Sequence, residues 1–384
     1  MGQEQKSPYT AASVILSRKA EGNPITLPFF IDNASDLTKV LSLEEGQRQE
    51  IERVASLYPL RIPEHYLSLI DKDSPMTCPV GRQALPSGDE FDLSGQSDPL
   101  NEGGSLRTPV FVSRYHGRGV FLVSAECAMY CRFCNRRRLV GKGWDPARYV
   151  EETLEYLEND TSIREVILSG GDPFMRPAEE LAHILARLKG MGKRIIRIST
   201  RMPVVSPQRL SKSYYKALHD AGPVWVVIHI NHPKEITPEF VEAIGRFRKS
   251  GAVLVSQTVL LRGVNDCAGI LGKLFEELVA MAVKPYYLFQ LDEVRGASHF
   301  KVKVEKGIEI MRALRRSVSG LAIPHYAIDI SGGLGKVPVD HQYLGERRGD
   351  RLSVESPSGV AGIYEDTGKE SCCSHCGICG PERV

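Results

Sequence analysis

The 384-residue sequence has almost no net charge, with 49 lysines and arginines against 47 aspartates and glutamates. Without a basic excess there is no electrostatic footprint for nucleic acid or an anionic membrane, so neither partner is expected. No apolar run approaches the length of a membrane span. The opening MGQEQKSPYTAASVILSRKA lacks the charged-then-apolar order of a secretory leader. Met1-Gly2 with Lys6-Ser7 matches a myristoylation pattern only loosely. The expected location is the cytoplasm. No internal repeat is visible beyond a strand–helix period. What is present is an apolar share of 42%, enough for a large core, which argues against wholesale disorder. The length allows two domains, or one barrel-sized domain with appended ends.

Residues 1–105 are polar and broken by prolines, with helical stretches at Leu43–Leu57 and Leu60–Ile70. They read as an N-terminal helical region wrapping the core. From residue 106 to 340 the texture changes. Strand candidates are Val120–Val123, Glu165–Leu168, Arg194–Ile198, Val224–Ile230, Val253–Leu260, Tyr286–Leu291 and Pro324–Ile330. Helical patterns lie between them, near Pro146–Leu157, Glu179–Leu188, Pro207–Ala221, Pro238–Lys249, Leu271–Ala282 and Glu305–Ser319. Alternation on this scale predicts an α/β fold, a parallel sheet of about six strands closing by right-handed crossovers into a partial or full (β/α) barrel. Residues 341–384 read as a C-terminal tail. Nearly every chemically capable residue falls at or just past the C-terminal end of a strand, the face where barrel active sites form. That placement favours an enzyme over a scaffold.

The nine cysteines are unevenly placed. Cys127, Cys131 and Cys134 form one group and Cys372, Cys373, Cys376 and Cys379 another, while Cys78 and Cys267 stand alone. Close clusters in a long cytosolic chain read as metal ligands rather than disulfides. The spacing Cys127-x-x-x-Cys131-x-x-Cys134 suits three irons of a four-iron four-sulfur cubane. The fourth iron is then free to chelate the amino and carboxylate groups of a methionine-type cofactor. A structural zinc site would want a fourth ligand in the same loop, and the loop has none. Cys78 reads as an ordinary buried thiol.

Lys336 follows Gly332-Gly333-Leu334-Gly335. Glycines let the backbone pass close to a ligand, and a lysine presented there can be desolvated and lowered in pKa, as a Schiff base with pyridoxal phosphate requires. By itself such a lysine is more simply an exposed loop residue. A nucleotide-binding loop is excluded, because no Ser or Thr follows the lysine.

The cysteine motif, with Phe133 before its last cysteine, resembles the radical S-adenosylmethionine superfamily. The further runs Ser113-Arg114-Tyr115, CAMYCRFCNRRRLVG, LSGGDP, STRMPVV, HINHP and SGGLGKVPV resemble the lysine 2,3-aminomutase family over roughly residues 58–340. The resemblance implies a radical enzyme that isomerises an amino acid by moving its amino group from Cα to Cβ. Lysine to β-lysine is the first expectation; arginine, another amino acid, or a lysine of elongation factor P are alternatives. A metal-binding protein without catalysis is the reading from outside enzymes.

By the same resemblance, Cys127, Cys131 and Cys134 hold the cluster, and Gly170, Gly171 and Asp172 lie at the edge that contacts S-adenosylmethionine. His229 and Gln257 fall at its adenosine end, though either could be a satisfied core group. Lys336 is the pyridoxal phosphate lysine, with Arg114, Tyr115 and Arg118 placed to hold the phosphate. Arg136 matches the position that pairs with the substrate α-carboxylate, and Asp292 and Asp329 the pair that recognises a distal ammonium. Leu334 interrupts a glycine run that the family usually has longer, and the text around Asp292 is closer to the elongation factor P subfamily. The tail and Cys267 resemble a structural zinc site shared between subunits, with Cys373, Cys376 and Cys379 as the other ligands and Cys372 able to replace Cys373. A second iron–sulfur cluster is the rival reading of the tail. Expected partners are a small amino acid, an electron donor of flavodoxin or ferredoxin type, and further copies of the chain in a dimer or tetramer.

Overall fold

Residues 30–368 are described by the computed structural model. Ten strands form its main sheet, and seven of them run parallel in chain order. A two-stranded ribbon, β1 (Phe30–Ile31) and β2 (Ile62–Pro63), precedes the sheet. The sheet begins with antiparallel β3 (Leu106–Thr108) and β4 (Phe111–Tyr115). The parallel set follows: β5 (Arg118–Ser124), β6 (Glu165–Gly170), β7 (Ile195–Thr200), β8 (Trp225–His229), β9 (Val253–Leu260), β10 (Lys284–Gln290) and β11 (His325–Ile330). Antiparallel β12 (Gly335–Pro338) completes it. All seven expected strands are present, one more than the expected sheet of about six. Strands buried on both faces read as near-continuous apolar runs, as in Val226-Val227-Ile228.

The intervening helices cover the sheet with one apolar stripe each. Pro238–Lys249 shows how the sequence sets such a helix. Thr237 caps it by accepting from Phe240 N, Pro238 opens it, and Glu239 lies in its first turn. Arg246, Arg248 and Lys249 complement the dipole in its last turn. Phe240, Ala243, Ile244 and Phe247, spaced three and four apart, are buried.

Among the described residues the two outer strands, β3 and β12, are not paired with each other, so the barrel is partial. Residues 99–101 bridge the gap: Gly332 N donates to Pro99 O at 2.8 Å, and Arg114 Nη1 to Leu100 O at 2.9 Å.

The ends depart from expectation. Glu45–Leu57 is helical, but the helix expected over residues 60–70 is β2 followed by the single turn Glu64–Leu67. Pro63 is extended, pairs with Phe30 in the β1–β2 ribbon and stands as the N-cap of the turn, so the helical residues start at Glu64. Residues 341–368 are not a plain tail. They carry a three-stranded antiparallel sheet, β13 (Leu344–Arg348), β14 (Arg351–Glu355) and β15 (Ala361–Glu365). Gly349 and Gly359, both at positive φ, make its two turns. No helix among the described residues is long and apolar enough to cross a membrane.

Candidate active site

Cys127, Cys131 and Cys134 lie in the loop that leaves β5, and all three line one pocket with Tyr58, Pro59 and Met129. Among the described residues no three His, Cys, Asp or Glu side chains converge as ligands of a single ion. A cubane asks for something else, since each thiolate serves a different iron and the sulfurs must ring a pocket. Burial, then the charge of Asp172, then the other two cysteines push the Cys127 thiol well up. Burial and Cys131 push Cys134 to about 11. Three thiols packed this closely are costly as bare thiolates, a cost that binding to iron relieves.

The start of the loop is seated by two glycines at the end of β6. A Cβ on Gly170 would lie 2.3 Å from Ser124 O, and one on Gly171 2.3 Å from Glu126 O. Only glycine permits that approach, which lets Gly171 N donate to Ser124 O at 2.5 Å and Asp172 N to Glu126 O at 2.8 Å. The Asp172 carboxylate accepts from Phe174 N, Thr200 Oγ1, Arg201 N and Met202 N at 2.8–3.1 Å. It thereby ties the end of β6 to the end of β7.

His229 and Gln257 are paired across β8 and β9. Burial and the charge of Arg201 drive the His229 imidazole down to about 3, so it is neutral at physiological pH. Its Nε2 lies 3.2 Å from Asn231 Oδ1, and its ring 5.5 Å from that of Phe133. Among the described residues the Gln257 side-chain amide has no hydrogen-bond partner.

A second group gathers at the far edge of the sheet. Asp329 and Lys336 face each other across the β11–β12 pairing, with Nζ 2.5 Å from Oδ2. The ammonium lies 3.9 Å from the Phe289 ring and 5.1 Å from the Tyr287 ring. Burial lowers the Lys336 pKa against the pull of Asp329 and Asp292. Asp292 follows β10; burial, then the charge of Asp329, raises its carboxyl to about 6. Asn135, next to Cys134, donates to Asp292 Oδ2 at 2.8 Å and joins this group to the cysteine loop.

Arg136 is also shared between the two groups. Its Nε and Nη2 donate to Glu102 Oε1 at 2.9 and 2.8 Å, and its Nη1 to Ser169 Oγ at 2.9 Å. Beside Lys336, Gly332, Gly333 and Gly335 all take positive φ. A Cβ on Gly333 would meet Leu100 O at 2.8 Å, and one on Gly335 the Tyr115 hydroxyl at 3.6 Å. The Tyr115 hydroxyl is buried without a hydrogen-bond partner among the described residues. Arg118 lies over the Tyr115 ring at 4.3 Å.

The cysteine trio, Arg136, Asp292, Asp329 and Lys336 thus occupy one continuous region, with Arg114 and Tyr115 on its glycine side. Sequence reasoning did not single out Asn135, Glu102 or Glu235. Asn135 had a signal, its place directly after the last cysteine. Glu102 and Glu235 reveal themselves only through the arginines they hold, Arg136 at 2.8 Å and Arg201 at 2.6 Å. Cys267 is exposed at the start of the helix Ala268–Ala280. Cys372, Cys373, Cys376 and Cys379 lie outside the described residues.

A partial (β/α) barrel with three cysteines at the end of its first parallel strand defines a radical S-adenosylmethionine enzyme. The model of the radical SAM superfamily matches residues 121–269. The chain is 37% identical over 341 residues to L-lysine 2,3-aminomutase of Fusobacterium nucleatum, covering 88% of this chain and 80% of that protein. It is 36% identical over 345 residues to L-lysine 2,3-aminomutase of Methanococcus maripaludis, with the same two coverages, 88% and 80%. Glutamate 2,3-aminomutase of Clostridioides difficile matches at 34% over 340 residues, again covering 88% and 80%. The chain belongs to the lysine 2,3-aminomutase family, whose members are isomerases that move an amino group. A four-iron four-sulfur cluster and S-adenosylmethionine follow from that membership.

Proposed function

We propose that the chain converts L-lysine to β-lysine, with Cys127, Cys131 and Cys134 holding the cluster and Lys336 holding pyridoxal phosphate. The observation that carries the reading is the pair Asp292 and Asp329 set against Lys336 and hooked to the cysteine loop by Asn135. The Asp292 carboxyl, raised by burial and by the neighbouring charge of Asp329, marks a site for a cation, and a lysine side-chain ammonium relieves that repulsion. A substrate with an anionic side chain would add to it.

The residues present fit both cofactors. The thiols ring a pocket. The glycine run, the orphaned Tyr115 hydroxyl and Arg114, engaged through Nη1, make a cradle beside Lys336 suited to a phosphate. When bound, the cluster with S-adenosylmethionine supplies hydrogen abstraction, and pyridoxal phosphate supplies the unsaturation through which the amino group migrates.

The chain's own residues position and shield. Arg136 has five N–H donors, three of them committed to Glu102 and Ser169, and the other two are available to the substrate α-carboxylate. Glu102 and Ser169 fix the direction in which that fork points. Lys336 needs a neutral amine to react, and burial moves it that way against the charge of Asp329 at 2.5 Å. His229 stays neutral and, with Gln257, offers polar atoms for the adenosine end.

An external flavodoxin- or ferredoxin-type donor would deliver the electron. Exposed Cys267 would join Cys373, Cys376 and Cys379 at a zinc site that also ties copies of the chain together.

The test is turnover of anaerobically reconstituted protein with S-adenosylmethionine, pyridoxal phosphate and a panel of amino acids. Lysine yielding β-lysine is the expected result, and glutamate as the sole substrate would sink the acidic-pair reading. No turnover of any free amino acid would redirect the search to a protein-bound lysine. Lys336→Ala is expected to keep its iron and lose both the pyridoxal absorbance and turnover.

A further inference from the structure

Arg201, at the end of β7, is 7% exposed. Its Nη1 donates to Cys131 Sγ at 2.8 Å. Its Nη2 faces Glu235 Oε1 at 2.6 Å, Gln83 Oε1 at 2.6 Å and the Tyr66 hydroxyl at 3.2 Å. Its Nε is buried and has no partner among the described residues. The guanidinium carbon is 5.3 Å from the ring of Phe133, inside the cysteine motif.

The residue is held at both ends. Its backbone N donates to Asp172 Oδ2 at 2.8 Å. Glu235, fully buried, is in turn fixed by Asn231 N and His232 N at 2.7 and 2.9 Å. A salt bridge to Glu235 alone would not require a further contact with sulfur from the other arm of the guanidinium. Burying a guanidinium is expensive, and one arm is spent on a cysteine that the family motif assigns to iron.

We propose that Arg201 is a positioning and redox-tuning residue: it holds Cys131 in place and sets a fixed positive hydrogen-bond donor against the cluster. Reduction adds negative charge, and a charged donor at a ligating sulfur stabilises the reduced state more than the oxidised one. The cluster's reduction potential is therefore raised. This rests on assigning the three cysteines to a four-iron four-sulfur cluster, so iron and sulfide content is measured first. A protein that binds no cluster refutes that assignment rather than the role of Arg201.

The variant is the double substitution Arg201→Gln with Glu235→Gln, which removes both charges and leaves neither buried alone. With the cluster loaded, spectroelectrochemical titration should show about a tenfold lower ratio of reduced to oxidised cluster at a fixed potential. That is about 59 mV for a one-electron couple. An unchanged potential at wild-type iron content overturns the proposal. Should the double variant lose its iron, pulsed electron paramagnetic resonance on reduced wild-type protein labelled with 15N-arginine decides. A guanidinium nitrogen coupling supports the proposal, and its absence overturns it.

Discussion

Replacing Asp292 by asparagine should stabilise the protein at neutral pH while removing its grip on a cationic substrate. Burial, then the charge of Asp329, raises the Asp292 carboxyl from 3.8 to about 6. A rise of that size corresponds to about 3 kcal/mol. The residue is partly open to solvent, and screening brings the figure to about 2 kcal/mol. The folded state holds this proton more tightly than the unfolded chain does. Its contribution is therefore whole below pH 3.8 and lost as pH rises through about 6. Wild-type protein carries the cost at pH 7.5; asparagine never ionises and does not. The asparagine oxygen can still accept from Asn135 Nδ2, which donates at 2.8 Å in the wild type. For a chain of this length, about 2 kcal/mol corresponds to about 2–3 °C in melting temperature. Calorimetry of the pyridoxal-free proteins should show Asp292→Asn melting higher by that amount at pH 7.5. At about pH 5 the gap should fall to roughly half, because wild-type Asp292 is then largely protonated. A lower or equal melting temperature at pH 7.5, or a gap indifferent to pH, refutes the reasoning. Activity should run the other way, with lysine turnover falling about tenfold or more as a charge-assisted contact is lost.

Two further outcomes follow from the same geometry. Glu90 is fully buried between Arg132 and Arg137, so Glu90→Ala should destabilise by about 3–5 kcal/mol and lower iron occupancy, read by melting and iron assay. Cys267→Ser, at an exposed thiol, should leave melting of the barrel and iron content unchanged while bound zinc falls in elemental analysis; unchanged zinc would remove Cys267 from the site.

The parallel strands were legible because they are buried on both faces and their runs are almost unbroken. Val253–Leu260 coincides with its expected limits, and so does the helix Pro238–Lys249, whose ends are marked by Thr237-Pro238 and by the basic residues of its last turn. The antiparallel margins were not. Leu106–Thr108 and Gly335–Pro338 are too short for a period to show, and the glycines before Lys336 read as loop. The Asp329–Lys336 contact is a matter of hairpin register, which a pattern of residue types does not contain. The grouping of Cys127, Cys131 and Cys134 around one pocket was readable because their close spacing confines them to one loop. Asp172 shows the opposite limit. Its position was legible, but its carboxylate is engaged by the backbone of Arg201 and Met202, contacts that depend on how β7 ends.

The same limit explains the run Arg136-Arg137-Arg138, which alone could have been surface charge. In the fold Arg132 and Arg137 meet at Glu90, while Arg136 and Arg138 meet at Glu102. Asp98 adds a second carboxylate to Arg138. Both glutamates come from the segment before the barrel, and both remain ionised although burial opposes it: their arginines hold Glu90 below its usual range and Glu102 at about 2. Losing one such carboxylate costs about 3–5 kcal/mol, and losing both costs about 6–10. That equals most of the 5–15 kcal/mol by which domains are stable at all. The segment carrying Glu90 and Glu102 therefore cannot come away from the barrel while the barrel stays folded. A single unfolding transition, coincident for the N-terminal residues and the sheet by hydrogen exchange, is the expected result. Two separated transitions would show that the arginines can do without their carboxylates.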